Sequence, residues 1–373
     1  MNHGIKLRRT PIAGSAIVLS VALLLAACGN DDGDGESAAS APTESASASE
    51  PANASDSASA SEPTDPAEPA PTDEAAPEFR TIEHAGGTTE VPVDPQNVLA
   101  LDEYTALVMW ELGFQPTTVY RSLLTVYTEP IASAQGIELV EHALADPSIE
   151  ASAALAPDLI LSFAHPTTIE RYDLWSEAGP TVLYDDSKPW QEPITVIGEA
   201  LGAEDIAAER TAALEAEIER VAAEIDAAFD TPPTVSIIGN LGGGSPFALP
   251  DSLSASAALL AELGLERPEA QQAEVDPALP FIFFSEETLL DHDADYVFAL
   301  ADGGFYGDGI SDLPLASSLT GTTVNISGEF WFASFPFAVS WMLADLESVL
   351  LGDGEVRTGA DVLDHWNAYT SGP

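Results

Sequence analysis

The chain has a single cysteine, Cys28, in 373 residues. That excludes any intramolecular disulfide. Positive charge is almost as scarce. Only 11 Lys and Arg face 62 Asp and Glu, a formal net charge of −51 at pH 7. Lys6, Arg8 and Arg9 lie near the start, so from Phe79 onward 8 bases face 49 acids. A surface of that sign repels phosphate. Nucleic acid is excluded as a partner, as is direct adsorption to an anionic membrane surface. The acid excess bears on solubility, not on fold.

Aromatic residues are missing before Phe79. Residues 29–78 are dominated by Ala, Ser, Pro, Glu, Asp and Thr, with 13 acids and no base. Such a stretch cannot bury enough apolar area to offset its ordering entropy. It reads as an extended, self-repelling tether. The one long apolar run, "IAGSAIVLSVALLLAAC", follows the three early bases and stops at Leu25-Ala26-Ala27-Cys28. That is the pattern of a signal peptide with small residues before its cleavage site. It is short for a stable membrane span. It resembles a bacterial lipobox, which implies that residues 1–27 are removed and Cys28 is lipidated. The expected home is extracytoplasmic, anchored to the cell membrane by lipid.

Residues 79–373 alternate short apolar strands with helical stretches. Strands are expected at 97–101, 116–120, 158–163 and 180–184, with helices at 104–112, 149–155 and 169–179 between them. The strongest helical signal is 204–229, rich in Ala, Glu and Leu and stopped by Pro232 and Pro233. The alternation then restarts, with strands at 234–240, 295–300 and 322–326 and helices at 252–263 and 335–350. This is βαβ grammar used twice. The expected fold class is α/β: two Rossmann-like lobes with mainly parallel sheets, joined by one long interlobe helix, and a ligand cleft between them. The expected lobes are 79–200 and 232–373, with the helix in 201–231 and the tether in 28–78.

Each lobe carries one copy of a short unit. "PSIEASAALAPDLIL" places Ser148 and Glu150 ahead of Asp158; "FSEETLLDHDADYVF" places Ser285 and Glu287 ahead of Asp295. The serine is a plausible N-cap and the glutamate falls in the first turn, where the helix dipole favours it. Capping alone could account for either copy.

The ordered series "VPVDPQNVLALDEYTALVMWELG", "IEASAALAPDLIL", "AGPTVLYD", "ALGAEDIAAE", "LLAELGLERP", "FSEETLLDHDADYVF" and "FWFASFPFAVSWMLADLESVL" resembles the iron–siderophore and cobalamin class of ABC-importer substrate-binding proteins. The resemblance runs from about residue 81 to 351. It implies a monomeric, non-enzymatic binder of a ferric siderophore, without a cofactor, that docks on a membrane permease. By motif, the docking carboxylates are Glu150 and Glu287. Haem, cobalamin or a metal ion is the alternative cargo. A lipid-anchored hydrolase is the rival of another class, but no GxSxG or other nucleophile motif is present.

In open α/β sheets a ligand sits off the carboxyl ends of the strands. The candidates there are Tyr104, Arg121, His165, Lys188, Trp190, Phe247, Tyr306 and Trp331. Aromatic faces suit the organic shell of a chelate, and cations suit its oxygens. Each also has a plainer reading: the bases as neutralisers of neighbouring acids, Trp331 as core. "GNLGGGSP" (239–246) lacks the lysine and spacing of a phosphate loop. His84, His142, His165, His292 and His365 show no metal-ligand spacing.

Overall fold

The computed structural model describes residues 78–121, 127–141, 147–241, 245–251, 254–275, 281–301 and 309–372. A hairpin, β1 (Phe79–His84) and β2 (Gly87–Pro92), precedes the first sheet. Then follow β3 (Val98–Ala100), α1 (Glu103–Glu111), β4 (Thr118–Arg121), α2 (Glu129–Ala134), β5 (Leu139–Glu141), α3 (Ile149–Ala153), β6 (Leu159–Phe163), α4 (Pro166–Glu170), α5 (Tyr172–Ala178), β7 (Thr181–Tyr184) and α6 (Gln191–Leu201). Five of these strands form one sheet in the order β5-β4-β3-β6-β7, and all are parallel. A 25-residue helix, α7 (Glu204–Ala228), leads to the second half. There the elements are β8 (Val235–Asn240), β9 (Pro246–Ala248), α8 (Ala255–Glu262), β10 (Ile282–Phe283), β11 (Tyr296–Leu300), β12 (Thr322–Ile326), α9 (Gly328–Phe332), α10 (Pro336–Leu351) and α11 (Val362–Ser371). The second sheet runs β10-β9-β8-β11-β12. β8, β11 and β12 are parallel, and β9 runs antiparallel between β8 and β10. The α/β class, the mainly parallel sheets and the long helix agree with the sequence expectation.

Parallel strands buried on both faces must be apolar throughout, and here alternate residues serve two different cores. In β6, Leu159 and Leu161 face an inner core while Ile160 faces an outer one with Trp175. In β11, Phe298 and Leu300 face the same inner core; Val297 and Ala299 face a separate outer cluster with Leu289. The inner core is continuous across both halves. It includes Leu107 and Trp110 of α1 together with Trp341 and Leu346 of α10.

The long helix braces this shared layer. Its buried residues Ala207, Leu214, Ile218, Val221 and Ile225 recur at spacings of three, four and seven, a single stripe along about 27 Å of helix. The stripe packs on α6 of the first half and on α8 and α10 of the second. Arg220 ties the helix to α10, bonding Glu347 at 2.9 Å as well as Glu217 and Glu224 of its own helix. Arg210 donates to the carbonyls of Thr370 and Gly372 at the end of α11, where the helix dipole favours a cation.

The duplicated motif is realised as a duplicated clamp. Asp158 accepts the backbone N–H groups of Gln96 (2.7 Å) and Asn97 (2.8 Å), just before β3. Asp295 accepts the backbone N–H (2.8 Å) and the hydroxyl of Thr234 (2.9 Å), just before β8. Asn97 and Thr234 each precede their aspartate by 61 residues. In each half, one carboxylate thus pins the start of the first sheet strand to the start of its parallel neighbour. The helical parts diverge. Ser148 caps α3 through its side chain. Ser285 makes no side-chain cap, and residues 286–292 form a 3-10 helix. The equivalence of the two serines is therefore corrected: the tighter turns end the need for a side-chain cap.

Other features were not expected. The β1–β2 hairpin, α6 and α11 lie outside the elements read from the sequence, as do the antiparallel β9 and β10. Gly202, which ends α6 at φ +70°, lies against the Arg80 guanidinium, which donates to Glu199 of the same helix end. A Cβ at Gly202 would meet Arg80 atoms at 2.3–2.9 Å.

Removing either clamp carboxylate (Asp158→Ala or Asp295→Ala) is expected to cost about 1–3 kcal/mol in urea denaturation. The two lie in different lobes, so the double variant should show the sum. A second expectation concerns pH. Glu111 of α1 is buried and accepts the Tyr369 hydroxyl of α11. Burial pushes its carboxyl up to about 7, against the pull of Tyr369 and Arg210. The native state therefore keeps a proton that the unfolded chain has lost, and this contribution to stability fades as pH rises from about 4.5 to 7. Half-buried His84 and His365 and buried His292, all held down at about 4 by desolvation, act in the opposite sense. The difference between parent and Glu111→Gln isolates the carboxyl: the variant should gain about 2–3 kcal/mol on the parent between pH 4.5 and 8.

Candidate functional site

The carboxyl ends of the two sheets face each other. Tyr104, just past β3, packs on Phe335 with ring centroids 5.0 Å apart. Tyr127, beyond β4, donates its backbone N–H to Glu329 (3.0 Å) and stacks on Phe330 (6.0 Å). The carbonyl of Lys188, beyond β7, accepts from Ser334 (3.2 Å). Residues 329–335 follow β12. Every one of these contacts joins a segment after a first-sheet strand to the segment after the last second-sheet strand, which defines a cleft floor.

The first-half wall is polar and acidic. Asp102 caps α1 and is buried. It accepts from the Thr105 backbone (2.8 Å), the Thr105 hydroxyl (2.8 Å) and the Ser162 hydroxyl (3.0 Å). Burial still raises its carboxyl above the usual range. Asp186, just beyond β7, is exposed. Desolvation, then Asp185, then Asp102 push it up to about 6. His165 is exposed, caps α4 and packs its ring edgewise on Phe163 at 5.7 Å.

Both cations expected at strand ends are there, and both are already paired. Arg121 bonds Glu129 and Glu141, each at 2.9 Å. Lys188 bonds Glu192 at 2.9 Å. The reading of these bases as neutralisers accounts for both positions.

Three predicted aromatics are placed in the core and are corrected as open cleft residues. Trp331 is 0% exposed, stacks on Phe298 at 4.8 Å and donates its indole N–H to Asp345 at 3.0 Å. Phe247 is 0% exposed because its ring lies on Gly239, where a Cβ would meet it at 2.5 Å. Trp190, 1% exposed, precedes α6 and turns into the inner core. All three belong to the inner core, which needs large apolar side chains to fill the layer between the sheets. Tyr306 lies outside the described residues, as does Cys28.

Of the aromatics that do reach the surface, Phe332 falls among the residues expected after the 322–326 strand, whereas Phe281 and Phe283 were missed. Phe281, Phe283 and Phe332 form a connected patch, with Phe281–Phe283 at 5.8 Å and Phe281–Phe332 stacked at 5.6 Å. Phe283 is 44% and Phe332 40% exposed. The register Gly239–Phe247–Phe283 puts the patch at the carboxyl end of β8. The signal was the run "FIFF" (281–284). Its alternate members Ile282 and Phe284 pack on the outer core, which frees Phe283. Among the described residues no group of three or more His, Cys, Asp or Glu is arranged to hold a metal ion. No helix of the described residues is long and apolar enough to cross a membrane.

The family described as periplasmic binding protein matches residues 137–319. The chain is similar to periplasmic binding proteins over that segment. The family resemblance read from the sequence is borne out. Among curated proteins, the ferric enterobactin-binding periplasmic protein FepB of Escherichia coli is 45% identical over 73 residues, 18% of this chain and 23% of FepB. The chain thus spans under a quarter of that relative in the match. Among solved structures, Staphylococcus aureus SirA complexed with staphyloferrin B superposes with a TM-score of 0.60 at 21% identity, covering 73% of this chain and 98% of SirA. A Mycobacterium smegmatis periplasmic solute binding protein gives 0.59 at 19%, covering 73% and 97%. A Bacillus subtilis FhuD fold-family component of a ferrichrome ABC transporter gives 0.57 at 18%, covering 72% and 98%. At these identities the likeness is one of fold, and the fold is the two-lobed one.

Trp331→Phe is expected to cost about 1–3 kcal/mol in urea denaturation, because it removes the donor to Asp345 Oδ2 and leaves Asp345 held by Arg357 alone. Phe283→Ala should cost about 1 kcal/mol or less. Equal losses would contradict the division between core and surface aromatics.

Proposed function

We propose that this chain is an extracytoplasmic solute-binding protein that holds a ferric siderophore between its lobes and delivers it to an ABC importer. The observation that carries the reading is the meeting of opposed strand ends with an exposed aromatic patch, since chelates are bulky and their organic shells pack on rings. Iron is cargo, held by its chelator. The protein's part is to bind and to present, not to catalyse. The candidate ligand contacts are Tyr104, Arg121, His165 and Lys188 on the first lobe and Phe281, Phe283 and Phe332 on the second. The working layout keeps lobes at 79–200 and 232–373, the brace within 201–231, and a tether at 28–78 attached through lipidated Cys28. The protein works as a monomer.

Glu150 and Glu287 are both exposed, one per half, each at the start of the duplicated unit. Ser148 donates to Glu150 (3.1 Å) and helps to hold its carboxyl ionised. Two carboxylates on separate lobes make a two-point dock whose spacing reports lobe arrangement. Single exposed ion pairs contribute under about 1 kcal/mol, so joint engagement matters more than either pair.

The cargo class is tested by quenching of the intrinsic tryptophan fluorescence with ferric hydroxamates, ferric catecholates, haemin and cobalamin. Saturable quenching by a ferric siderophore is expected; saturation by haemin or cobalamin alone would transfer the protein to that cargo. For the dock, Glu150→Arg with Glu287→Arg should abolish uptake in cells and leave ligand affinity within about twofold. Uptake at the parent rate would remove these residues from the permease interface.

A further inference from the structure

Every Lys and Arg beyond residue 78 has a described place in the fold. All eight bases beyond residue 78 are Arg80, Arg121, Arg171, Lys188, Arg210, Arg220, Arg267 and Arg357, and all lie among the described residues. Arg80 holds the end of α6, Arg210 the end of α11, and Arg220 the brace. Arg267 is buried against Asp251, and half-buried Arg357 faces the buried Asp345. Arg171 lies between α4 and α5, beyond the β6 loop. Only Arg121 and Lys188 stand at the carboxyl ends of strands.

Neither leaves a surplus of positive charge there. Arg121 faces two carboxylates and Lys188 one. The same rim adds Asp185 and Asp186, the first-half wall adds Asp102, and the floor adds Glu329. An anionic chelate would have to displace Glu129 and Glu141 from Arg121 and would still meet a net negative wall. The opposite wall is the exposed patch of Phe281, Phe283 and Phe332. Aromatic faces present negative charge, so they attract cations and accept neutral apolar shells.

We infer that the cleft selects ferric chelates without net negative charge, the neutral and cationic hydroxamates, and rejects anionic catecholate and carboxylate complexes. This rests on the siderophore reading above and names the cargo class within it. Long-range repulsion from the whole acidic surface acts in the same direction and slows the approach of an anion. The cation's advantage is electrostatic, so it should shrink with salt.

The test is a titration of the purified chain with cationic ferrioxamine B, neutral ferrichrome and anionic ferric enterobactin, read by tryptophan quenching at about 50 and about 500 mM salt. The cationic and neutral complexes should bind at least about tenfold more tightly than the anionic one at low salt. Salt should weaken the cationic complex and leave the neutral one within about twofold. Asp185→Asn with Asp186→Asn should weaken ferrioxamine B by about threefold or more and spare ferrichrome. Ferric enterobactin binding as tightly as ferrichrome overturns the inference while sustaining the siderophore reading. Failure of all three complexes overturns both.

Discussion

The shared inner core between the two sheets is the constraint from which the rest of the molecule follows. α1, α6, α7 and α10 pack into one apolar layer that serves both halves. Each parallel sheet is then covered on its inner face by that layer and on its outer face by a cluster of its own. With both faces closed and the backbone groups paired along the ladders, only the strand ends can meet solvent or a ligand. The stripe on α7 fixes how the halves meet. The segment 329–335 then brings the last strand end of the second half onto the first.

The two carboxylates Asp158 and Asp295 show how one solution was used twice. In each half the aspartate stands immediately before the fourth strand of the unit's βα path and receives backbone donors from the residue entering the first. A carboxylate does this better than an amide, because it accepts more than one donor at once and the bonds are charge-assisted. Glu150 and Glu287 sit eight residues before these anchors. Their matched placement is a consequence of the clamps, and this places one exposed acid on each half whatever partner reads them.

Charge scarcity shapes the cleft as much as packing does. A domain with 8 bases against 49 acids spends most of its bases on structure: helix ends, the brace and buried carboxylates. The two left at strand ends are each matched by neighbours. What remains exposed beside them is aromatic surface, Phe283 and Phe332. The aromatics are divided by packing: Trp190, Phe247 and Trp331 are drawn into the core, and Phe283 of β10 and Phe332 at the end of α9 remain open.

Much of the fold was legible from the sequence because it rests on local patterning. The apolar runs at 158–163, 234–240 and 295–300, and the stripe of α7, carry their period without help from the rest of the chain. The hairpin β1–β2 and strands β5, β9 and β10 were not legible. They are two to six residues long, and their identity depends on what they pair with. The site was legible only in outline. Arg121, His165 and Lys188 stand at strand ends as the βαβ rule requires, but Trp190, Phe247 and Trp331 turned inward, and Phe281, Phe283 and Phe332 turned outward. A phenylalanine carries no mark of its own that says which side of a sheet end it will face. That depends on register, as when Gly239 leaves room for Phe247 and exposes Phe283. Composition and period by themselves determined the class of fold, the two-part plan and the sign of the surface, since these are sums over many residues. Only the tertiary structure decided which aromatics stay exposed and which cations are already matched, since these depend on single contacts between residues far apart in the chain.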